Sequence, residues 1–257
     1  MATNLTNTTF SSTYKDDFRD SDGYHKILFN TGKALQAREL TQIQTILQKQ
    51  IERIGSNIFK EGAVVKPGGA NINSRFEFVR LNTSTHALPA AGSSLSDYIG
   101  LEFTGADSGI KAVVLDAIAA ESPDPATLFV RYTSTSGDTT SSTATTKRFI
   151  KGEDLTGGAF TLEVENITGT DATGVGTLAT LAEGIYYVRG HFVFVEQQSK
   201  IISKYTDTGT AKLGYKVTED VVNVTDDDGL YDNQGTTPNI TAPGADRYRI
   251  KLTIAID

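Results

Sequence analysis

The 257-residue chain contains no cysteine and no tryptophan, a single methionine and only 6 prolines. The lack of cysteine excludes disulfides and thiolate metal sites and fits assembly in a reducing compartment. With no tryptophan, the ring most used to platform sugars is missing, which counts against a glycosidase cleft. No apolar run approaches the roughly 18–20 residues that span a bilayer, so membrane insertion is not expected. The opening MATNLTNTTFSSTYKDD has neither a basic region nor an apolar core, which argues against an ordinary secretory signal. Lysine and arginine are scattered singly, and the net charge is −7 with a pI near 5.1. A chain that tracks nucleic-acid phosphates needs the opposite balance, so no nucleic-acid partner is expected.

What is abundant is threonine, with 35 residues, and glycine, with 24. Threonine suits a pleated, half-exposed surface and glycine suits turns, so many short strands are expected. N-x-[ST] triplets at Asn4, Asn7, Asn82, Asn166, Asn223 and Asn239 follow from that threonine content and need no glycosylation.

Residues 1–28 read as an extended arm with aromatic anchors at Phe10, Tyr14, Phe18 and Tyr24. Such rings in a polar arm either dock on another surface or cover the edge of the chain's own β domain. Residues 29–62 carry the one long amphipathic helix, running roughly from Lys33 to Lys60. Asn30 or Thr31 can cap its start, and Gly55 or Gly62 can end it. Its apolar stripe is Leu40, Ile43, Leu47, Ile51, Ile54 and Ile58, with Leu35 and Ile46 beside it, a mean spacing of 3.6 residues. That period departs from the 3.5 of a coiled coil and suits a helix lying on a sheet, with a short bundle around a symmetry axis as the alternative. A strict heptad reading places Gln50 and Asn57 in the seam.

Residues 63–257 read as β-rich, possibly as two sub-domains dividing near residue 183. Phe160, Leu162 and Val164 alternate with polar residues, as do Tyr248, Ile250, Leu252, Ile254 and Ile256. Further strands are expected at Asn71–Leu81, Gly109–Ile118, Ala126–Thr133 and Lys212–Thr218. IYYVRGHFVFV (Ile185–Val195) is too long for one strand and reads as a hairpin turning at Arg189-Gly190. Thr133–Thr146 and Thr225–Asp246 read as surface loops. The fold class is thus mainly β with one long N-terminal α-helix: an antiparallel β-sandwich or barrel-like domain following an extended arm. Ending directly after its best strand, the chain reads as the N-terminal part of a longer polypeptide.

No catalytic constellation emerges. His25, His86 and His191 fall in no zinc-binding spacing. Aligning Gly229 of the Asp226-Asp227-Asp228 run with the calcium-loop glycine puts Val224 and Gly235 at ligand positions, and both fail. Gly174 and Gly176 lack a third glycine and a following helix, so no dinucleotide loop is present. No enzyme activity, cofactor or metal is expected.

Tyr24–Gly69, above all Phe29-Asn30, Gly32, LQARELTQ (Leu35–Gln42) and IFKEGAVV (Ile58–Val65), closely resembles the start of a family of virion structural proteins of contractile-tailed phages, cyanophages included. That family is known only as a domain of unknown function. ATLFVRYTS (Ala126–Ser134), GIYYVRGHFVFVEQQ (Gly184–Gln198) and APGADRYRIKLTI (Ala242–Ile254) resemble it as well. Family members usually carry proline where this chain has Thr31. The resemblance implies a structural part of the baseplate or tail-fibre attachment apparatus, assembled in the host cytoplasm. The implied partners are other tail proteins and copies of the chain itself, with a homotrimer favoured. The expected assembly interface comprises the four arm aromatics, Leu35, the polar residues Gln36, Arg38 and Glu39, and Leu40, Ile43, Ile46, Leu47, Ile51 and Ile54; Gln42 joins the polar rim. A different class of reading is a carbohydrate-binding adhesin, using the loops at 133–146 and 225–246 with Tyr231 and Asn233.

Overall fold

A computed structural model describes residues 13–82, 84, 94–134, 147–232 and 239–257. The chain is mainly β, with one α-helix near its start and antiparallel sheets after it. The helix α1 (Ala37–Ile58) is followed by β1 (Ala63–Lys66), β2 (Ala70–Arg80), β3 (Glu102–Gly105), β4 (Lys111–Ile118), β5 (Thr127–Ser134), β6 (Asp154–Gly157) and β7 (Phe160–Glu163). Then come β8 (Thr173–Leu181), β9 (Gly184–Val188), β10 (His191–Val195), β11 (Gln198–Ser203), β12 (Leu213–Val222), β13 (Tyr231–Asp232), β14 (Asn239–Pro243) and β15 (Arg247–Ile256).

Two compact units share these elements, each assembled from separated stretches of chain. One takes residues up to Gly69, Leu181–Gln198 and Tyr215–Ala255; the other takes Ala70–Thr180, Ser199–Gly214 and the last two residues.

The second unit is an eight-stranded sheet in the order β11-β8-β2-β5-β4-β3-β6-β7. Past β7, Val164 bridges Leu81, and the N–H groups of Asn82 and Glu165 donate to Glu163 and Arg80 carbonyls. The outer end of the sheet therefore returns to β2 and closes, barrel-like, on a core that includes Leu81, Tyr98, Phe103, Leu128, Leu155 and Leu162. Alternation along β2 sends Phe76 and Phe78 to the opposite face, where they pack with Phe129. One carboxylate is sealed inside this unit. Glu153 accepts N–H bonds from Asp107, Ser108 and Ile150 and the Ser108 hydroxyl, so its burial leaves no donor unmet.

The first unit carries the helix. A three-stranded sheet, β1-β9-β10, has α1 on one face. On the other face Tyr186, Val188 and Val195 pack with Leu252 of β15. The β9–β10 turn is the two-residue type that twisted strands favour, with Arg189 at φ 50° and Gly190 at φ 79°. The Arg189-Gly190 hairpin expected from the sequence is therefore present. Along β15 the side chains from Tyr248 onward alternate inward and outward as the pattern predicts.

Several boundaries differ from the sequence reading. The helix starts at Ala37, four residues after Lys33, because the Glu39 carboxylate accepts the Gln36 N–H at 2.9 Å and caps it there. Asn30 and Thr31 lie ahead of the helix and do not cap it. Gly55 does not end the helix; it is buried inside it. Gly109 sits in a turn at φ 65°, so β4 begins only at Lys111. The strands β1, β3, β6, β8 and β11 were not anticipated, being short or carrying glycine where the alternation would show, and the stretch Thr225–Asp246 read as a loop contains the short antiparallel pair β13–β14.

Candidate functional site

The helix is positioned by its polar and glycine positions, not by its apolar stripe. Gly55 lets α1 approach Tyr187 so closely that an added Cβ would stand 2.8 Å from the ring Cζ. The Tyr187 hydroxyl donates to the Glu52 carbonyl at 3.0 Å, and Gln48 donates to the Gly190 carbonyl at 2.7 Å. Burial, more than the nearby Glu52 and Glu61, raises the Tyr187 hydroxyl above its ordinary pKa. Beyond the helix, Phe59 packs against both Tyr187 and Phe192.

The arm holds a second side of the helix. Asp16, buried, accepts the Thr45 hydroxyl at 2.5 Å and the Phe18 N–H at 3.2 Å. Asp17 receives Arg38 at 3.2 Å and also Gln42, and Asp20 receives Arg53 at 2.7 Å. Lys49 pairs with Glu52. All five charged side chains of α1 thus have partners within the chain: Arg38 and Arg53 in the arm, Lys49 and Glu52 in each other, and Glu39 in the cap at Gln36.

What remains is a third side that no other element among the described residues is seen to cover. Leu40, Leu47, Ile51, Ile54 and Ile58 are exposed, Leu47 by 59% and Ile54 by 64%, and Ile43 is half-buried. At 100° per residue these six project within roughly 80° of one another. Gln44, Gln50 and Asn57 flank them, with Glu39 of the cap on the same flank as Asn57, and no charge falls within the stripe itself. The spacing left open whether the stripe faces the chain's own sheet or a sister subunit; the helix does lie on a sheet, but through Gln48, Glu52 and Gly55. Close backbone approach at a glycine and two side-chain-to-backbone hydrogen bonds hold it there, leaving the apolar side outward.

The expected interface residues divide accordingly. Leu35, Leu40, Leu47, Ile51 and Ile54 are exposed and available, and Ile43 in part; Ile46 is 5% exposed and belongs to the interior. Gln36, Arg38, Glu39 and Gln42 make contacts within the chain rather than forming a free rim. Tyr14 donates to Asp246 at 2.5 Å, which raises its pKa above the ordinary value, while Tyr24 is exposed. Phe18 is half-buried, and Phe10 lies outside the described residues. Phe192 and Phe194, which the sequence reading did not single out, are exposed on β10. Their alternation from buried Val195 was the available signal.

Other candidate chemistry does not assemble. Among the described residues no three metal-ligating side chains converge. Asp226 and Asp227 accept backbone N–H groups of Asn223 and Gly229 in ordinary turns. His25 is exposed, His191 meets the Arg189 carbonyl through Nδ1, and His86 lies outside the described residues. Most of the loop 133–146 and residues 233–238 of the second loop, Asn233 included, are also outside them; Tyr231 is half-buried. Among the described residues no helix is long and apolar enough to cross a membrane.

No curated protein and no solved structure matches this chain. Residues 12–85, which are 74 of the 257 and carry the arm, α1, β1 and β2, match the family model described as a domain of unknown function (DUF4815).

Proposed function

We propose that this chain is a structural subunit of a phage tail, in the baseplate or at the tail-fibre attachment, that assembles through its arm and helix. The β units serve as scaffolding, and the chain performs no chemistry of its own. The observation that carries this reading is the uncovered, uncharged apolar side of α1. Water-exposed apolar surface costs about 25 cal/mol per Å2, so an ordered row of five exposed aliphatic side chains favours a partner. The resemblance of Leu35–Gln42 to virion structural proteins supports placing that partner in a tail. The neighbours are other tail proteins and copies of this chain, in a virion part assembled in the host cytoplasm. The test is the double substitution Leu47→Glu and Ile54→Glu. Both side chains are exposed, so circular dichroism stays native while incorporation into particles is lost. Normal incorporation of the folded variant refutes the docking role.

A further inference from the structure

We propose that the occupant of the helix stripe is the same stripe on further copies of this chain, packed parallel and in register around a common axis. This rests on the docking reading and names the partner. The first ground is charge. Parallel copies bring identical residues face to face, so any charge on the contact side would meet its like and repel. The helix carries five charged residues in its 22, and every one is held off the stripe, by Asp17, Asp20, the capped N-terminus or the Lys49–Glu52 pair. In a chain of net charge −7, a side kept free of charge is suited to its own copy.

The second ground is the placing of the amides. Ile43, Gln50 and Asn57 recur every seven residues along one flank of the stripe. In an antiparallel pair centred on the helix, Asn57, whose amide donates to the Arg53 carbonyl at 2.7 Å, would lie against the aliphatic Leu40 end with its carbonyl oxygen and second N–H unmet. In a parallel, in-register arrangement Gln50 meets Gln50 and Asn57 meets Asn57, and an amide both donates and accepts. Such paired amides fix register in helical assemblies. The 3.6 period is no obstacle: a 22-residue helix drifts by only about 20° per heptad from a straight seam.

The third ground is area and width. The five exposed aliphatic side chains of the stripe offer roughly 500 Å2 per chain, the scale of a small interface, and exposed Leu28, Phe29 and Leu35 precede them in the chain. A side spanning roughly 80°, with leucine and isoleucine mixed, is wider than a two-helix seam and fits three helices.

The absence of native cysteine makes the test direct. Single-cysteine chains are made at Gln50→Cys and Asn57→Cys, with Lys49→Cys on the opposite side as control, and oxidised under native conditions. The expected result is cross-linking between identical positions at 50 and 57 at least about tenfold faster than at 49, as a high local concentration requires. Wild-type mass by light scattering at micromolar concentration is expected to be a trimer, and Leu47→Glu with Ile54→Glu reduces it to one chain with native circular dichroism. A monomeric wild type, or equal cross-linking at 49, 50 and 57, overturns the proposal. A monomer whose charged variant still loses incorporation overturns only the homotypic partner and leaves the docking reading in place.

Discussion

Replacing Gly55 by alanine sets two effects of opposite sign against each other. In an exposed helix interior the change stabilises by about 1 kcal/mol, because alanine is the better helix former. Here the new Cβ would enter the Tyr187 ring, 2.8 Å from Cζ and 3.0 Å from the hydroxyl oxygen. The ring has no room to swing away. It is 3% exposed, lies 5.3 Å from the Phe192 centroid and donates to the Glu52 carbonyl. Relief requires either rotating the ring, which forfeits a hydrogen bond worth about 1 kcal/mol, or moving the helix off the hairpin, which also stretches the Gln48–Gly190 bond. Overpacking of this kind costs roughly 1–3 kcal/mol. The sum of both costs less the propensity gain is a net loss of about 1–3 kcal/mol. Urea unfolding of the full chain measures it, and circular dichroism of an isolated peptide covering residues 33–60 provides the reference. Helicity rises in the peptide while the protein is destabilised. If alanine stabilises the protein by about the propensity difference, the helix does not dock through Gly55 and the account of its outward stripe fails.

Other perturbations follow from the same geometry. Glu153→Ala strands four donors inside the second unit and should cost about 3–5 kcal/mol by chemical denaturation; a loss under about 1 kcal/mol contradicts the network. Thr45→Val keeps the side-chain shape but removes the donor to buried Asp16, so limited proteolysis should cut the arm faster with the β units intact. Deleting residues 1–30 should leave the β units folded and abolish particle incorporation; a truncation that enters particles normally would remove the arm from the docking role. At alkaline pH the tyrosines of the helix-bearing unit matter: burial pushes Tyr215 up to about 12 and raises Tyr187 and Tyr248 as well. A hydroxyl with a raised folded-state pKa contributes stability that is complete below the ordinary value of 10.0 and is lost as pH rises toward 12. Tyrosinate absorbance should therefore lag for these rings and appear together with loss of structure; full titration near the ordinary value in a still-native protein would rule this out.

The sequence by itself determined what depends on neighbours along the chain. Side-chain period placed β15 and β7, and the Arg189-Gly190 pair placed the hairpin, because a two-residue turn needs positive φ at adjacent positions. Existence of the helix was equally legible, from a stripe of period 3.6. The strand β8 was not, because its glycines hide the alternation: a Cβ at Gly174 would strike the Phe78 ring and one at Gly176 the Lys204 carbonyl. Those obstacles come from β2 and from the stretch after β11, far away in sequence. Nor could periodicity say which side of α1 is covered. An apolar stripe ordinarily turns inward, yet here the covering chain arrives 142 residues later, as Gly190 against Gln48, and docks on a glycine and two hydrogen bonds. The local pattern sets that a helix forms and which side is apolar. Only the tertiary structure decides which side is buried, since that depends on what surface the rest of the chain brings to it and leaves uncovered.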